Sequence, residues 1–436
     1  MVTLVCRAIR FPGLLMLAAL LLGACGSAAN PPTASAPTAA PPAPTPQPGD
    51  RLYIRDGFKG DAERLTIVDS VSGTRQRELP PGVSSPDWST LYVATQDGGS
   101  TRLQALDIAS GQMLRETKLD GAYGLPLITP DSVLGGLSPD GRWLALTART
   151  SSKKTQFVVL DTAFKQKPRQ ANLDGYFLFD GLNNSGTSLF LTESLADDPT
   201  AKYQVRRYDL AGGSLDPNVI VDKLEGSKIM SGARQTAVAS KDGGWLYSLY
   251  LNPSHGPFIH ALPMNDSIGL AFCIDLPTNN KEDLAKQSRW SLLMSGDQRT
   301  LYAVNGALGI VVEYSVSDGM PQMMRTRTLF KATAKAGDSK AKLPTSTITA
   351  LGPDGTTLYT LGDQGLLVID VKALALRGRY LADWALDGLA ISPDGARLYA
   401  ASASAGKIVR LDPRAGTIVG EVPTDGKPTG VVRVES

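Results

Sequence analysis

"LAISPDGARLYAAS", residues 389–402, is a phrase this chain uses repeatedly, and what it builds decides the fold. Ser392-Pro393-Asp394-Gly395 carries the residues a type I turn selects: serine first, proline second to fix φ, glycine last. Apolar runs flank it, so the phrase predicts two strands joined as a hairpin. Related copies are "SSPDWSTLY" (84–92), "LSPDGRWLA" (137–145), "NNSGTSLFL" (183–191), "SKDGGWLYS" (240–248), "MSGDQRTLYA" (294–303) and "LGPDGTTLYT" (351–360).

A second signature follows each copy after a variable gap: an apolar strand ending in Asp, often with Gly a few residues later. Examples are "LQALDIASG" (103–111), "FVVLDTAF" (157–164), "VRRYDLAGG" (205–213), "LLVIDVKA" (366–373) and "IVRLDPRAG" (408–416). The unit is therefore strand, turn, strand, loop, strand, turn, strand. Its anchor leucines, Leu91, Leu144, Leu189, Leu246, Leu301, Leu358 and Leu398, are spaced by 53, 45, 57, 55, 57 and 40 residues. Four strands repeating at that interval predict an all-β fold, a β-propeller of four-stranded antiparallel blades. "GDRLYIRDG" (49–57) and "LTIVDSVSG" (65–73) supply a further strand pair with no first strand before it, and "KPTGVVRVES" (427–436) is a lone strand. The terminal strand is expected to complete the first blade and close the ring, hiding edges that would invite association. The count favours eight blades. Seven is the alternative, if the irregular unit around 175–225 falls short of a full blade.

These phrases and Asp strands resemble the YVTN-type, lactonase-like or WD40-like β-propellers of bacteria over about residues 50 to 436. "LYVAT" (91–95) and "LYAVN" (301–305) come nearest to the YVAN strand; most units lack it. The resemblance concerns turn and packing chemistry, so it implies a fold more than an activity.

The front of the chain carries an address. Arg7 and Arg10 precede "LLMLAALLLGA" (14–24), a run below the ~20 residues of a spanning helix. It ends in "LLGAC", which resembles the lipobox of bacterial lipoproteins; the resemblance implies cleavage before Cys25 and diacylglycerol, with further acylation such as palmitate, at that cysteine. Residues 26–49, rich in Pro, Ala, Ser and Thr, suit an extended tether reaching roughly 75 Å at ~3.1 Å per residue. Three segments follow: 1–24 signal peptide, 25–49 lipidated Cys25 and tether, 50–436 propeller. The expected address is lipid-anchored to the cell membrane on its extracytoplasmic side, facing periplasm or cell surface.

The charge balance, 44 basic against 42 acidic residues, gives no electrostatic case for nucleic acid. The turn aspartates Asp87, Asp140, Asp242, Asp297, Asp354 and Asp394 look like an acidic array, but turn-making accounts for them. The two histidines, His255 and His260 in "NPSHGPFIHAL", are expected on loop surface, and Cys273 in "IGLAFCID" as a small buried hydrophobe. No metal site, cofactor motif or catalytic constellation is expected. The surface singled out is the mouth of the central channel, where innermost strands begin. Counting back from each turn gives Arg234, Gln235, Arg289, Trp290, Thr347, Trp384 and Asp387 as ligand- or partner-binding candidates. The function expected is a monomeric, membrane-tethered binding or scaffold module for a protein, peptide or glycan. The alternative is a lactonase-like, metal-dependent hydrolase with Asp387 among its carboxylates.

Overall fold

The computed structural model describes residues 49–56, 64–126, 135–151, 153–198, 200–252, 254–264, 269–278, 284–330, 348–424 and 426–436. Residues 1–48, which include Cys25, the expected signal peptide and all of the expected tether but Gly49, and Thr347 lie outside the described residues. The compact unit, Pro48–Ser436, is a β-propeller. Its one helix among the described residues is the single turn Leu284–Gln287.

The quoted phrase folds as its chemistry requires. Gly395 N donates to Ser392 O at 2.8 Å, closing the turn, and Gly395 takes φ +70°, where a Cβ would be strained. Asp394 Oδ1 accepts from the Ser392 hydroxyl at 2.5 Å and the Ala396 amide at 3.0 Å. The strand-end aspartates do the same at the opposite turn: Asp412 Oδ1 takes the Arg414 and Ala415 amides, and Asp209 Oδ1 those of Ala211 and Gly212. These carboxylates are turn makers, not a converging acidic array.

The strands form five four-stranded antiparallel sheets, one three-stranded sheet and one of eight strands. The eight-stranded sheet consists of two antiparallel halves, Phe177–Asp222 and Ala233–Asp275. Their outermost strands meet in a short parallel pairing, Val221 with Leu270 and Asp222 with Ala271. The irregular unit around 175–225 is thus a complete four-stranded half. Among the described residues, which leave out 127–134, the unit holding Trp143–Ser151 shows three paired strands together with the bridges Leu137–Leu144 and Gly124–Thr147.

Sheet faces bury apolar rows against each neighbour. One cluster joins Leu52, Ile54 and Val68 of the first sheet to Tyr399, Ala401 and Ile408 of the last, with Val431 and Val434 between them. Comparable clusters join each sheet or half-sheet to the next: Tyr53 and Ile67 to Leu91 and Leu106, and so on through Leu361 and Leu366 to Leu389 and Leu398. The ring closes as the sequence predicts. Pro428–Glu435 pairs antiparallel with Arg51–Asp56, Leu52 opposite Val434 and Ile54 opposite Val431, with a register shift between Tyr53 and Ile54.

The turn aspartates make stability acid-sensitive. The Ser392 hydroxyl and then the Ala396 amide hold Asp394 below its ordinary 3.8. Corresponding donors lower Asp87, Asp242 and Asp297, and the Ser72 amide foremost lowers Asp69. A depressed folded-state pKa contributes stability above the unfolded value and loses it as pH falls through the folded one. We expect circular dichroism melts to be flat from pH 8 to 7, to decline modestly below about pH 6.5 as the unfolded chain takes up the proton that buried His260 refuses, and to fall steeply below about pH 4. Melts that lose nothing further between about pH 4 and 2 would contradict this assignment.

Candidate functional site

The proposed mouth residues sit where innermost strands start. Arg234 and Gln235 open Ala233–Ala239, Trp290 opens Trp290–Met294 with Arg289 just before it, and Asp387 precedes Gly388–Ile391. These strands stack on one another in that succession, with Thr349–Leu351 between the last two. Their side chains diverge in use.

Arg234 Nη1 donates to the Asp180 carbonyl at 2.8 Å and to Asp180 Oδ1 at 3.2 Å, tying two half-sheets together. Gln235 is the extra residue of a β-bulge and turns its amide back on Ala233 O. Arg289 reaches across to Asp363 at 3.1 Å, in the turn that follows Thr357–Gly362 of the next sheet, and Lys286 approaches the same carboxylate at 3.9 Å. Trp384 is half-buried, with the Lys407 ammonium 5.3 Å from its ring centre. Asp387 Oδ2 accepts the Ala403 amide at 2.8 Å. Trp290 is 2% exposed and packs with Tyr247, Leu249 and Leu292 in the contact between sheets. Its ring therefore offers no area to a ligand: strand alternation turns it into the seam.

Residues the sequence did not single out form a more unusual assembly beside Arg234. Asp180 interrupts the apolar strand Phe177–Leu182 at a bulge and is 1% exposed. Besides Arg234, its Oδ1 accepts from the Tyr250 hydroxyl at 3.0 Å. Tyr250 stacks on Tyr203, centroids 5.8 Å apart, and meets His260 edge-on at 5.9 Å. His260 is 1% exposed, in the strand Gly256–Pro263, which corrects the expectation of a loop-surface residue. Gly256, at φ +104°, ends the loop, and Pro257 already pairs opposite Leu251, so the chain is extended before His260 is reached. His255 remains exposed. Cys273 is half-buried with its Sγ 3.5 Å from His260 Nδ1, so it is a polar neighbour and not merely a small hydrophobe.

Burial keeps this seam weakly charged. It lowers the His260 pKa, leaving a neutral imidazole at pH 7. It pushes Tyr203 and Tyr250 well above 10.0, with the Asp180 charge as the next cause for both. Burial, followed by the Asp222 carboxylate, raises the Cys273 thiol, which is thereby held protonated and poorly nucleophilic. Among the described residues no three His, Cys, Asp or Glu side chains are grouped to hold a metal. On the same pair of half-sheets a cavity of about 260 Å³ is lined by Phe190, Ile220 and Leu262 together with the Arg207–Asp216 ion pair. A lone carboxylate inside "FLFDGL" was the legible sign of this seam; its partners, supplied by strands tens of residues away, were not.

No family model matches the sequence, and no curated protein matches it. Solved structures do resemble the fold. AztD of Citrobacter koseri in its apo form is 14% identical, covering 89% of this chain and 99% of its own, with a TM-score of 0.51. A Bacteroides fragilis protein described as a 6-phosphogluconolactonase (16% identity, 91% and 100% covered, TM-score 0.45) and the periplasmic gluconolactonase PpgL of Pseudomonas aeruginosa (20%, 80% and 99%, 0.39) are looser likenesses. At these identities the likeness is one of fold.

Proposed function

We propose that the chain is an eight-bladed propeller, lipid-anchored through Cys25 on the extracytoplasmic face of a bacterial membrane, that binds a protein, peptide or glycan across the end of the ring where innermost strands begin. The observation that carries this reading is that mouth arginines are tied down pairwise across neighbouring sheets, Arg234 to Asp180 and Arg289 to Asp363. Side chains fixed before binding lose little entropy on binding, which suits a rigid recognition surface. Among the described residues the carboxylates there are engaged with arginines or backbone amides and do not gather around one point, as hydrolysis at a metal would need.

The test uses the full chain in its native envelope. Cross-linking followed by affinity capture should enrich a specific partner, and Arg289→Ala should weaken the purified complex about tenfold, as for an arginine anchor of ~1–2 kcal/mol. Cys25→Ser should release the protein from the membrane fraction. Capture no better than background, or an affinity unchanged by Arg289→Ala, would sink the binding reading. Lactone turnover lost on Asp387→Ala would install the hydrolase in its place.

A further inference from the structure

The seam between the half-sheets Phe177–Asp222 and Ala233–Asp275 carries a concentration of unanswered hydrogen-bonding groups. Eight buried side-chain atoms find no partner among the described residues, and four of them lie here: Asp180 Oδ2, Tyr203 Oη, Ser248 Oγ and His260 Nε2. Their placement follows from register. Ser248 pairs opposite His260 and His260 opposite Cys273, so all three side chains share one face, with Tyr250 two residues along from Ser248 on that face. Tyr203 and Asp180 arrive from the facing half-sheet, Tyr203 stacked on Tyr250 and Asp180 bonded to the Tyr250 hydroxyl. A buried polar atom without a partner is rare, and several around one aromatic pair point to a shared occupant.

We infer that this seam is an internal binding site for one or two ordered water molecules bridging Asp180 Oδ2, Tyr203 Oη, Ser248 Oγ and His260 Nε2. The chemistry of the four atoms selects the occupant. A carboxylate oxygen can only accept. The Cys273 Sγ–His260 Nδ1 contact at 3.5 Å is compatible with either tautomer, so the neutral imidazole presents Nε2 as an acceptor or as a donor. The occupant must therefore donate to Asp180 Oδ2 and be able both to donate and to accept toward the others. The hydroxyls of Tyr203 and Ser248 accept or donate as needed. Arg234, 3.2 Å from Asp180 Oδ1, already balances the carboxylate charge, so a neutral molecule that both donates and accepts fits better than an ammonium or a metal cation. Water is the smallest such molecule, and sites with two to four polar partners hold it well.

Two substitutions give a test whose sign depends on the answer. Tyr203→Phe and Ser248→Ala each remove one hydroxyl and little else. If water bridges these atoms, each variant strands a buried partner and its melting temperature falls by about 2 °C or more. If the hydroxyls are unpartnered, removing them leaves the melting temperature unchanged or higher, and the inference is overturned. A high-resolution crystal structure of the unaltered protein should place a water peak within hydrogen-bond distance of at least three of the four atoms. Metal analysis of the same protein should find no stoichiometric ion. A dry seam overturns the inference directly, and so does one metal per chain that His260→Gln abolishes.

Discussion

A chain ending at residue 427 should fail to yield a soluble, monomeric ring. The strand Pro428–Glu435 pairs along all of Arg51–Asp56 and packs against Gly388–Ile391 and Leu398–Ser402. Deleting it uncovers the apolar rows of Leu52 and Ile54 and the faces of Tyr399 and Ile408, all now fully buried. Burial of Val431 and Val434 alone contributes ~1.5–3 kcal/mol each, before the lost ladder hydrogen bonds at ~0.5–1.5 kcal/mol apiece. Against a total stability of ~5–15 kcal/mol, that loss is of the order of the whole. It also frees the edge of the first sheet for pairing with other chains. Size-exclusion chromatography should show aggregates or an expanded species, and a synthetic peptide of residues 427–436 added during refolding should restore the monomer. A truncated monomer melting within about 2 °C of the full chain would show that the closing strand holds nothing together.

That closure was legible because it depends on local chemistry. Turn residues at fixed offsets, aspartates at strand ends and a lone β-rich terminus each declare themselves within a few positions, and propeller blades are built almost wholly from such neighbours. What stayed hidden involves choices between faces and between distant strands. The spacing located Trp290 at the start of an innermost strand, but a strand has two faces, and only packing decides that this indole enters the seam with Tyr247. His260 looked like loop because Gly and Pro precede it. The bulge at Asp180 moves that carboxylate off the strand's alternation and toward Arg234, 54 residues away in sequence. The unit after Leu137, with three paired strands among the described residues, carries one of the most regular turn phrases in the chain, while the irregular phrase at 183–191 lies in a complete half-sheet. Phrase quality reports the turn, and says little about how far the strand beyond it pairs.

The second large effect concerns two residues inside the opening phrase itself. Arg397 and Tyr399 both reach Asp50, at the very start of the first strand: Arg397 Nε and Nη2 donate to its two oxygens at 2.6 and 2.7 Å, and the Tyr399 hydroxyl at 2.6 Å. The Asp50 amide in turn donates to Ser70 Oγ at 2.8 Å. Asp50 is 1% exposed and the Arg397 side chain 17%, so this bidentate pair is largely withdrawn from water and joins the last sheet to the first. Asp50→Ala removes the acceptor of the Tyr399 phenol and both of the buried oxygens that Arg397 holds, while Asp394 Oδ2, 3.1 Å from Arg397 Nη2, still accepts from the guanidinium at its exposed side. Breaking a buried pair from one side costs ~3–5 kcal/mol, a drop in melting temperature of roughly 4–6 °C for a domain this large. Much of the penalty comes from the buried edge of the guanidinium that loses Asp50, which gives a second arm to the experiment. Asp50→Ala combined with Arg397→Met should recover a substantial part of the loss, because an uncharged, flexible side chain fills the gap without needing an acceptor. Thermal melts of the two single variants and the double variant decide the matter. If the double variant is no more stable than Asp50→Ala alone, the stranded charge is not the origin of the penalty, and the joint between last and first sheets rests on the apolar row of Leu52, Ile54 and Val434 alone.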